Sequence, residues 1–203
     1  MDVDPLESAT SADEDSSASR DRARVRLNTR VAITVALLAT FLAVCKVKDD
    51  NIVQAMQQSQ ADRLDHWNFY QARNIRQEVA AAAVVQLKLA AAGAPAAQQE
   101  GYRAAIASYE ALVADQAKKK EELRLQADVD QKTYDALNYR DDQFDLSDAL
   151  IALAISLLAL TALTHKPWLY NLALVATIGG VLMGLAGLLG WHLHPDFLAR
   201  LLS

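Results

Sequence analysis

The chain contains a single cysteine, and it lacks the motifs of the common enzyme classes. Cys45 has no second cysteine to pair with, so no intrachain disulfide can stabilise this protein. The formal net charge is -5, and this acidic balance excludes nucleic acid as a partner. The sequence has no G-x-S-x-G, H-E-x-x-H or phosphate-loop motif. We therefore expect a protein that is not an enzyme and that binds no cofactor or metal.

Prolines are few, and they lie outside the stretches with apolar or helical spacing. Each one follows or precedes such a stretch, where a residue without a backbone N–H and with a fixed φ is tolerated. This placement is typical of helix ends and predicts a chain made of helices. The four are Pro5, Pro95, Pro167 and Pro195.

The chain does have three long apolar runs, which cover residues 28–47, 146–164 and 168–191. A helix needs about 20 predominantly apolar residues to cross the hydrocarbon core of a bilayer. The third run begins at Trp168 and ends at Trp191, as interfacial aromatic residues do. We predict an all-α membrane protein with three transmembrane helices and the lipid bilayer as a partner.

The two ends of the chain and the arginine distribution predict the topology. Residues 1–27 are acidic and serine-rich, then arginine-rich, which predicts a disordered cytoplasmic tail. Residues 48–145 would then lie on the outer face of a bacterial inner membrane, in the periplasm, and residues 195–203 would form a short interfacial helix. Lipidation at Cys45 is an alternative, although Val44 occupies a position where a small residue is expected.

Residues 48–145 show helical spacing of apolar residues on both sides of a break at residues 93–95. Two long helices that meet at a tight turn predict an antiparallel, coiled-coil-like hairpin inserted between the first and second transmembrane helices. A turn centred near Ala94 pairs Trp67 with Leu123 and Ile75 with Val113.

Three aromatic residues, Trp67, Phe69 and Tyr70, lie within four positions of the first arm. At about 100° per residue, Trp67 and Phe69 point roughly 160° apart, so one partner helix cannot cover both. Three interpretations stay open: one ring is partly exposed, a second face packs against another copy or another membrane protein, or Lys118–Lys120 complete a ligand groove.

Carboxylates lie just before and at the start of the second apolar run. We expect Asp145 and Asp148 to form interfacial ion pairs with Lys46 and Lys48 of the first span. The alternative is a proton or cation site at Asp148.

Small residues follow one face of the third span. Gly180, Gly184 and Gly187 fall on this face, and small residues let helix backbones approach closely within a membrane. We therefore predict tight helix packing along these three glycines.

Two long segments carry a family resemblance. "KDDNIVQAMQQSQADRLDHWNFYQARNIR", beginning at Lys48, and "YDALNYRDDQFDLSDALIALAISLLALTAL", together with the glycine-rich third span, resemble the bacterial membrane proteins grouped as domain of unknown function 4337. The resemblance spans roughly residues 30–189 and implies three spans with a helical insertion, but no activity.

These observations favour a non-enzymatic inner-membrane scaffold or accessory subunit. Its periplasmic hairpin would mediate self-association or the docking of a partner. The alternatives are an oligomeric conductor of protons or small ions that uses Asp148, and a periplasmic sensor.

Overall fold

The structure is a computed structural model that describes the backbone of residues 5–191 and the side chains of residues 19–191. Its helices are α1 (Pro5–Ala92), α2 (Gln99–Thr164) and α3 (Pro167–Leu189), with a short 3-10 helix at Ala96–Gln98. No strand occurs among the described residues. Each of the three α-helices contains a stretch long and apolar enough to cross a membrane. The all-α prediction is confirmed, and the length and apolar composition of the three helices suggest a membrane protein.

Helix α1 begins at Pro5, inside the 1–27 segment that the sequence predicts to be disordered. Proline is favoured in the first turn of a helix, and a helix that has been nucleated extends at little further cost. The composition of the tail alone does not show that the helix of the following apolar run extends back into it. The interfacial helix predicted at 195–203 lies outside the described residues.

Helix α1 ends at the predicted break. Pro95 precedes the 3-10 helix, and the side chain of Gln99 closes the turn. Its Nε2 donates hydrogen bonds to the carbonyl oxygens of Ala91 at 2.8 Å and Ala94 at 3.1 Å. The carbonyl oxygen of Ala91 also accepts from the backbone N–H of Ala94 at 3.2 Å, so the side chain of Gln99 adds to the bonds that close the end of the helix.

The chain divides into two compact units. We call residues 1–52 and 139–203 the apolar unit, and residues 53–138 the arm unit. Each unit is described by itself.

Helix α1 contributes to the apolar unit through positions seven residues apart. Val31, Leu38, Cys45 and Ile52 are all buried, a spacing that keeps one face of a helix toward its neighbours. Helix α2 and helix α3 supply the other side of the core. That core consists of Val31, Leu38, Ile151, Ala154, Leu158, Ala173 and Ala176.

A short turn joins α2 to α3. The backbone N–H of His165 donates to the carbonyl oxygen of Thr161 at 2.8 Å, and His165 adopts a left-handed φ of 55°. Pro167 then occupies the first turn of α3, a position where its missing N–H has no cost. Helix α3 ends at Leu189, and Gly190 caps it in the left-handed conformation. The helix therefore ends two residues before the end of the predicted span of 168–191.

Candidate functional site

The glycine face of α3 packs directly on α2. Gly180 is buried, and a side chain at this position would bring its Cβ to 2.7 Å from Cγ1 of Ile151. The Oγ of Ser147 donates a 2.8 Å hydrogen bond to the carbonyl oxygen of Gly180. Glycine therefore allows two helix backbones to approach until a side-chain hydroxyl reaches a main-chain carbonyl.

The other two predicted glycines also lie on the buried face of α3. A Cβ on Gly184 would lie 2.7 Å from the ring of Phe41, and a Cβ on Gly187 would lie 2.8 Å from the ring of Phe144. Each glycine thus leaves space for an aromatic ring.

Side chains of α2 cap the carboxyl end of α3. Nη2 of Arg140 donates to the carbonyl oxygen of Gly187 at 2.8 Å, and Nε2 of Gln143 donates to that of Trp191 at 2.8 Å. The last carbonyl groups of a helix lack intrahelical partners, and the helix dipole favours a cation there. These two contacts fix the end of α3 against α2.

The lysine near the end of the first span pairs within its own helix. Nζ of Lys46 lies 2.7 Å from Oδ2 of Asp49 and 4.0 Å from Oδ1 of Asp50. Among the described residues, no ion pair joins Lys46 or Lys48 to the carboxylates of α2. The nearest partners of Lys46 are thus the carboxylates three and four residues along α1, and the predicted pairs with Asp145 and Asp148 stay predictions, with the charge of Lys46 opposing the rise in the pKa of Asp145.

Asp49 was not identified from the sequence, and among the side chains that the structure describes in the apolar unit it is the most buried carboxylate, with 3% of its surface exposed. It lies four residues after Cys45 and three before Ile52, on the buried face of α1. Continuing the apolar spacing of the first span by one turn would have placed it there. A charged residue just past an apolar run is easily mistaken for an interfacial flank.

Burial and neighbouring carboxylates raise two pKa values at this end of α2. The pKa of Asp141 rises from 3.8 to about 6, because of burial, then of a hydrogen bond with Asp49, and then of the charges around it. Burial and the charge of Asp49 also raise the pKa of Asp145, against the opposing effect of Lys46. Within residues 19–191, no group of three His, Cys, Asp or Glu side chains could hold a metal ion.

Polar contacts join the two helices of the arm unit. Nδ1 of His66 lies 2.6 Å from Oδ2 of Asp130, and Nη1 of Arg73 donates to Oε1 of Gln116 at 3.1 Å. Closer to the turn, Nζ of Lys88 lies 2.7 Å from Oε1 of Glu110. Residue numbers fall on α2 as they rise on α1, so the two helices run antiparallel through this seam.

The aromatic residues of α1 divide between the seam and the solvent. Trp67 and Tyr70 are half-buried and meet edge to face, with ring centroids 5.2 Å apart. Nζ of Lys120 lies 5.8 Å from the centroid of the Tyr70 ring and donates to Oδ1 of Asn74 at 3.0 Å. Phe69 remains 60% exposed.

Ile75 does not pack inside the seam. It is 63% exposed, so its predicted pairing with Val113 is wrong, whereas the pairing of Trp67 with the half-buried Leu123 stays a prediction. At about 100° per residue, Ile75 lies roughly 160° from the seam residue Arg73. Other large apolar residues of α1 are exposed on the same side. We call this set the apolar stripe: Leu64, Ile75, Val79 and Leu89.

Comparison with known proteins places the chain in a family. A family model described as Domain of unknown function (DUF4337) matches residues 27–190, and the chain belongs to this family. No match is found among curated proteins or among solved structures.

Proposed function

We propose that this member of the family is a non-enzymatic inner-membrane scaffold whose periplasmic helical hairpin docks on a second copy of the same chain. The three apolar helices would anchor it as a three-span protein with a cytoplasmic amino terminus. The apolar stripe carries the proposal, because it is exposed on the side of α1 that faces away from α2. The alternative is an accessory subunit that uses the same stripe to bind another membrane protein. The experiment below distinguishes this role from docking on a second copy.

The second helix of the arm unit cannot cover the stripe. It already contacts the opposite face of α1 through the pairs His66 with Asp130 and Arg73 with Gln116. Rotating α1 to bury Ile75 would break these pairs and leave the Oε1 atom of the buried Gln116 without a donor, at about 1–3 kcal/mol for an unsatisfied buried group. The stripe therefore stays available to another helix.

The chemistry of the stripe favours a second copy. The four apolar residues lie within an arc of about 80° on the helix, and the residues between them on this face are all uncharged: Asn68, Gln71, Ala82 and Gln86. Two identical stripes can meet without like charges opposing each other. Full burial of a large aliphatic side chain is worth about 1.5–3 kcal/mol. Since these side chains are already about one third buried in one chain, eight of them from two copies would contribute roughly 8–16 kcal/mol on complete burial, comparable with the ~4–15 kcal/mol cost of association.

Disulfide crosslinking in membranes tests this proposal. In a Cys45→Ala background, Ile75→Cys places a thiol on the stripe, and the matched control Arg76→Cys places one on the next exposed position, about 100° around the helix. We expect mild oxidation to give a covalent dimer with Ile75→Cys and mainly monomer with Arg76→Cys.

Two differently tagged copies, expressed together, separate the possible partners. If the second tag co-purifies with the first, the partner is another copy. A crosslink from Ile75→Cys to a different protein, without co-purification of the tags, would instead assign the accessory-subunit role. A stripe thiol that stays monomeric and freely labelled would reject both.

A further inference from the structure

Asp49 presents a carboxylate oxygen that the described residues do not satisfy. Its Oδ2 accepts from Nζ of Lys46 at 2.7 Å, whereas its Oδ1 is buried and accepts from no N–H or O–H group of residues 19–191 as long as the neighbouring carboxyl groups are ionised. The side chain is 5% exposed. A buried carboxylate oxygen without a donor costs about 1–3 kcal/mol or more. The oxygen therefore indicates that a donor is missing at this place.

The groups around this oxygen include more carboxylates than cations. Helix α1 contributes Cys45 and Lys46 in addition to Asp49, whereas its next carboxylate, Asp50, is 61% exposed. Helix α3 has no titratable residue at this end within Pro167–Leu189, since its only one, Tyr170, lies near the other end. Helix α2 contributes Arg140, Asp141, Asp142, Asp145 and Asp148.

Of the cations, only Lys46 serves these carboxylates. Arg140 is directed away, with Nε and Nη2 both donating to the carbonyl oxygen of Gly187. Several carboxylates that share one ammonium group in a partly dry site repel one another when all are ionised, so one of them takes up a proton more readily than a free carboxyl group does. Since no set of described side chains is arranged for a metal ion, the proton is the cation that fits.

We propose that Asp49 and Asp141 form a proton-binding site between α1 and α2, in which the protonated Asp141 donates its O–H to the buried Oδ1 of Asp49. The proton is taken from water and returned to it, and no covalent bond between heavy atoms changes. The rise of the pKa of Asp141 to about 6 agrees with this geometry. This inference does not depend on the proposed docking of a second copy.

The site links the packing of α1 and α2 to pH. Below about pH 6 the hydrogen bond holds the two helices together at the carboxyl-rich end of the apolar unit. Above that pH, two carboxylates face each other between the helices, and their repulsion opposes the contact. A chain with this arrangement responds to acidification within the range that periplasmic or extracellular fluid reaches.

Infrared spectroscopy of the full chain in nanodiscs tests the site, because a protonated carboxyl group has its own stretching band. We expect a band that titrates with a midpoint near pH 6 in the wild type. Asp141→Asn should remove this titration. Asp49→Asn should lower its midpoint by about one unit, since the acceptor and its charge are both lost. The matched control Asp50→Asn, at a neighbouring and largely exposed carboxylate, should leave the midpoint unchanged.

Two results would overturn the proposal: a wild type with no protonated carboxyl group at about pH 5, or an unchanged midpoint in Asp49→Asn. Far-UV circular dichroism verifies that each variant keeps its helices. If Asp141→Asn does not fold, the comparison of Asp49→Asn with Asp50→Asn decides the question.

Discussion

The hydroxyl group of Ser147 donates a 2.8 Å hydrogen bond to the carbonyl oxygen of Gly180, across the contact between α2 and α3. Ser147 is fully buried, and its Oγ reaches the backbone because Gly180 has no side chain. In an apolar environment a hydroxyl group without a hydrogen-bond partner costs free energy. The carbonyl oxygen of Gly180 takes the place of water as that partner. This hydrogen bond therefore requires both the hydroxyl group of Ser147 on α2 and the absence of a side chain at Gly180 on α3.

Substitution of Gly180 by alanine should destabilise the apolar unit. The new Cβ would lie 2.7 Å from Ile151 and 3.2 Å from the backbone of both Ile151 and Ser147, so α3 would have to move. We expect a loss of about 1–3 kcal/mol, measured by unfolding in detergent micelles. Gly179→Ala is the control, because its Cβ would meet only the flexible end of Leu150. Equal losses in the two variants would contradict the close approach at Gly180.

The stability of the apolar unit should fall as pH rises through the titration of Asp141. Its pKa is raised from 3.8 to about 6 in the folded chain, so between these values the folded state binds more protons than the unfolded chain. Stability is therefore greatest below this window and decreases across it. Because Asp141 is only half-buried, we expect a change on the order of 1 kcal/mol.

Thermal unfolding at several pH values measures this slope. Asp141→Asn mimics the protonated carboxyl group, so it should flatten the slope and stabilise the chain at neutral pH. A steeper fall in the variant than in the wild type would contradict the assigned sign.

The polar contact between Arg73 and Gln116 should stabilise the arm unit. Gln116 is buried and accepts from Arg73, so a double-mutant cycle with Arg73→Ala and Gln116→Ala should give a coupling of about 0.5–3 kcal/mol. Hydrogen exchange of residues 53–138 in the full chain provides the opening free energy. The control cycle uses Lys118 and Glu122, an exposed pair at 4.0 Å, for which we expect a value near zero. Similar values for the two cycles would show that the seam is not a specific contact.

The position of the arm unit relative to the membrane can be tested by thiol labelling in intact cells. In a Cys45→Ala background, Phe69→Cys places a thiol at a position that is 60% exposed. If the arm unit is periplasmic, a reagent that cannot cross the inner membrane should label it without lysis. Arg26→Cys, near the first span, should react only after lysis. The opposite pattern would reverse the proposed topology.

The apolar runs predicted the three helices well, because burial in a membrane and burial in a core both select long apolar segments. The break near Pro95 and the buried face that contains Gly180 could be predicted because the backbone properties of proline and glycine act locally. Such features can be read from a few neighbouring residues.

The faces of α1 in the arm unit were harder to predict. Two sets of residues have helical spacing, and the sequence favours the more apolar set, which includes Leu64 and Ile75. The structure instead directs Ser59, His66 and Arg73 toward α2, seven residues apart. Val31, Leu38, Cys45 and Ile52 have the same spacing. The polar residues on α2 that complete this seam are distant in sequence, so hydrophobic spacing alone could not identify it.

The most direct test of the central claim is the mass of the complex in nanodiscs, measured by native mass spectrometry. We predict two copies for the wild type and one copy for the double variant Ile75→Asp and Val79→Asp, in which charges occupy the apolar stripe. Arg76→Asp, a charge change beside the stripe, should leave two copies. A wild type that is a single chain, or a double variant that still contains two copies, would contradict docking through the apolar stripe.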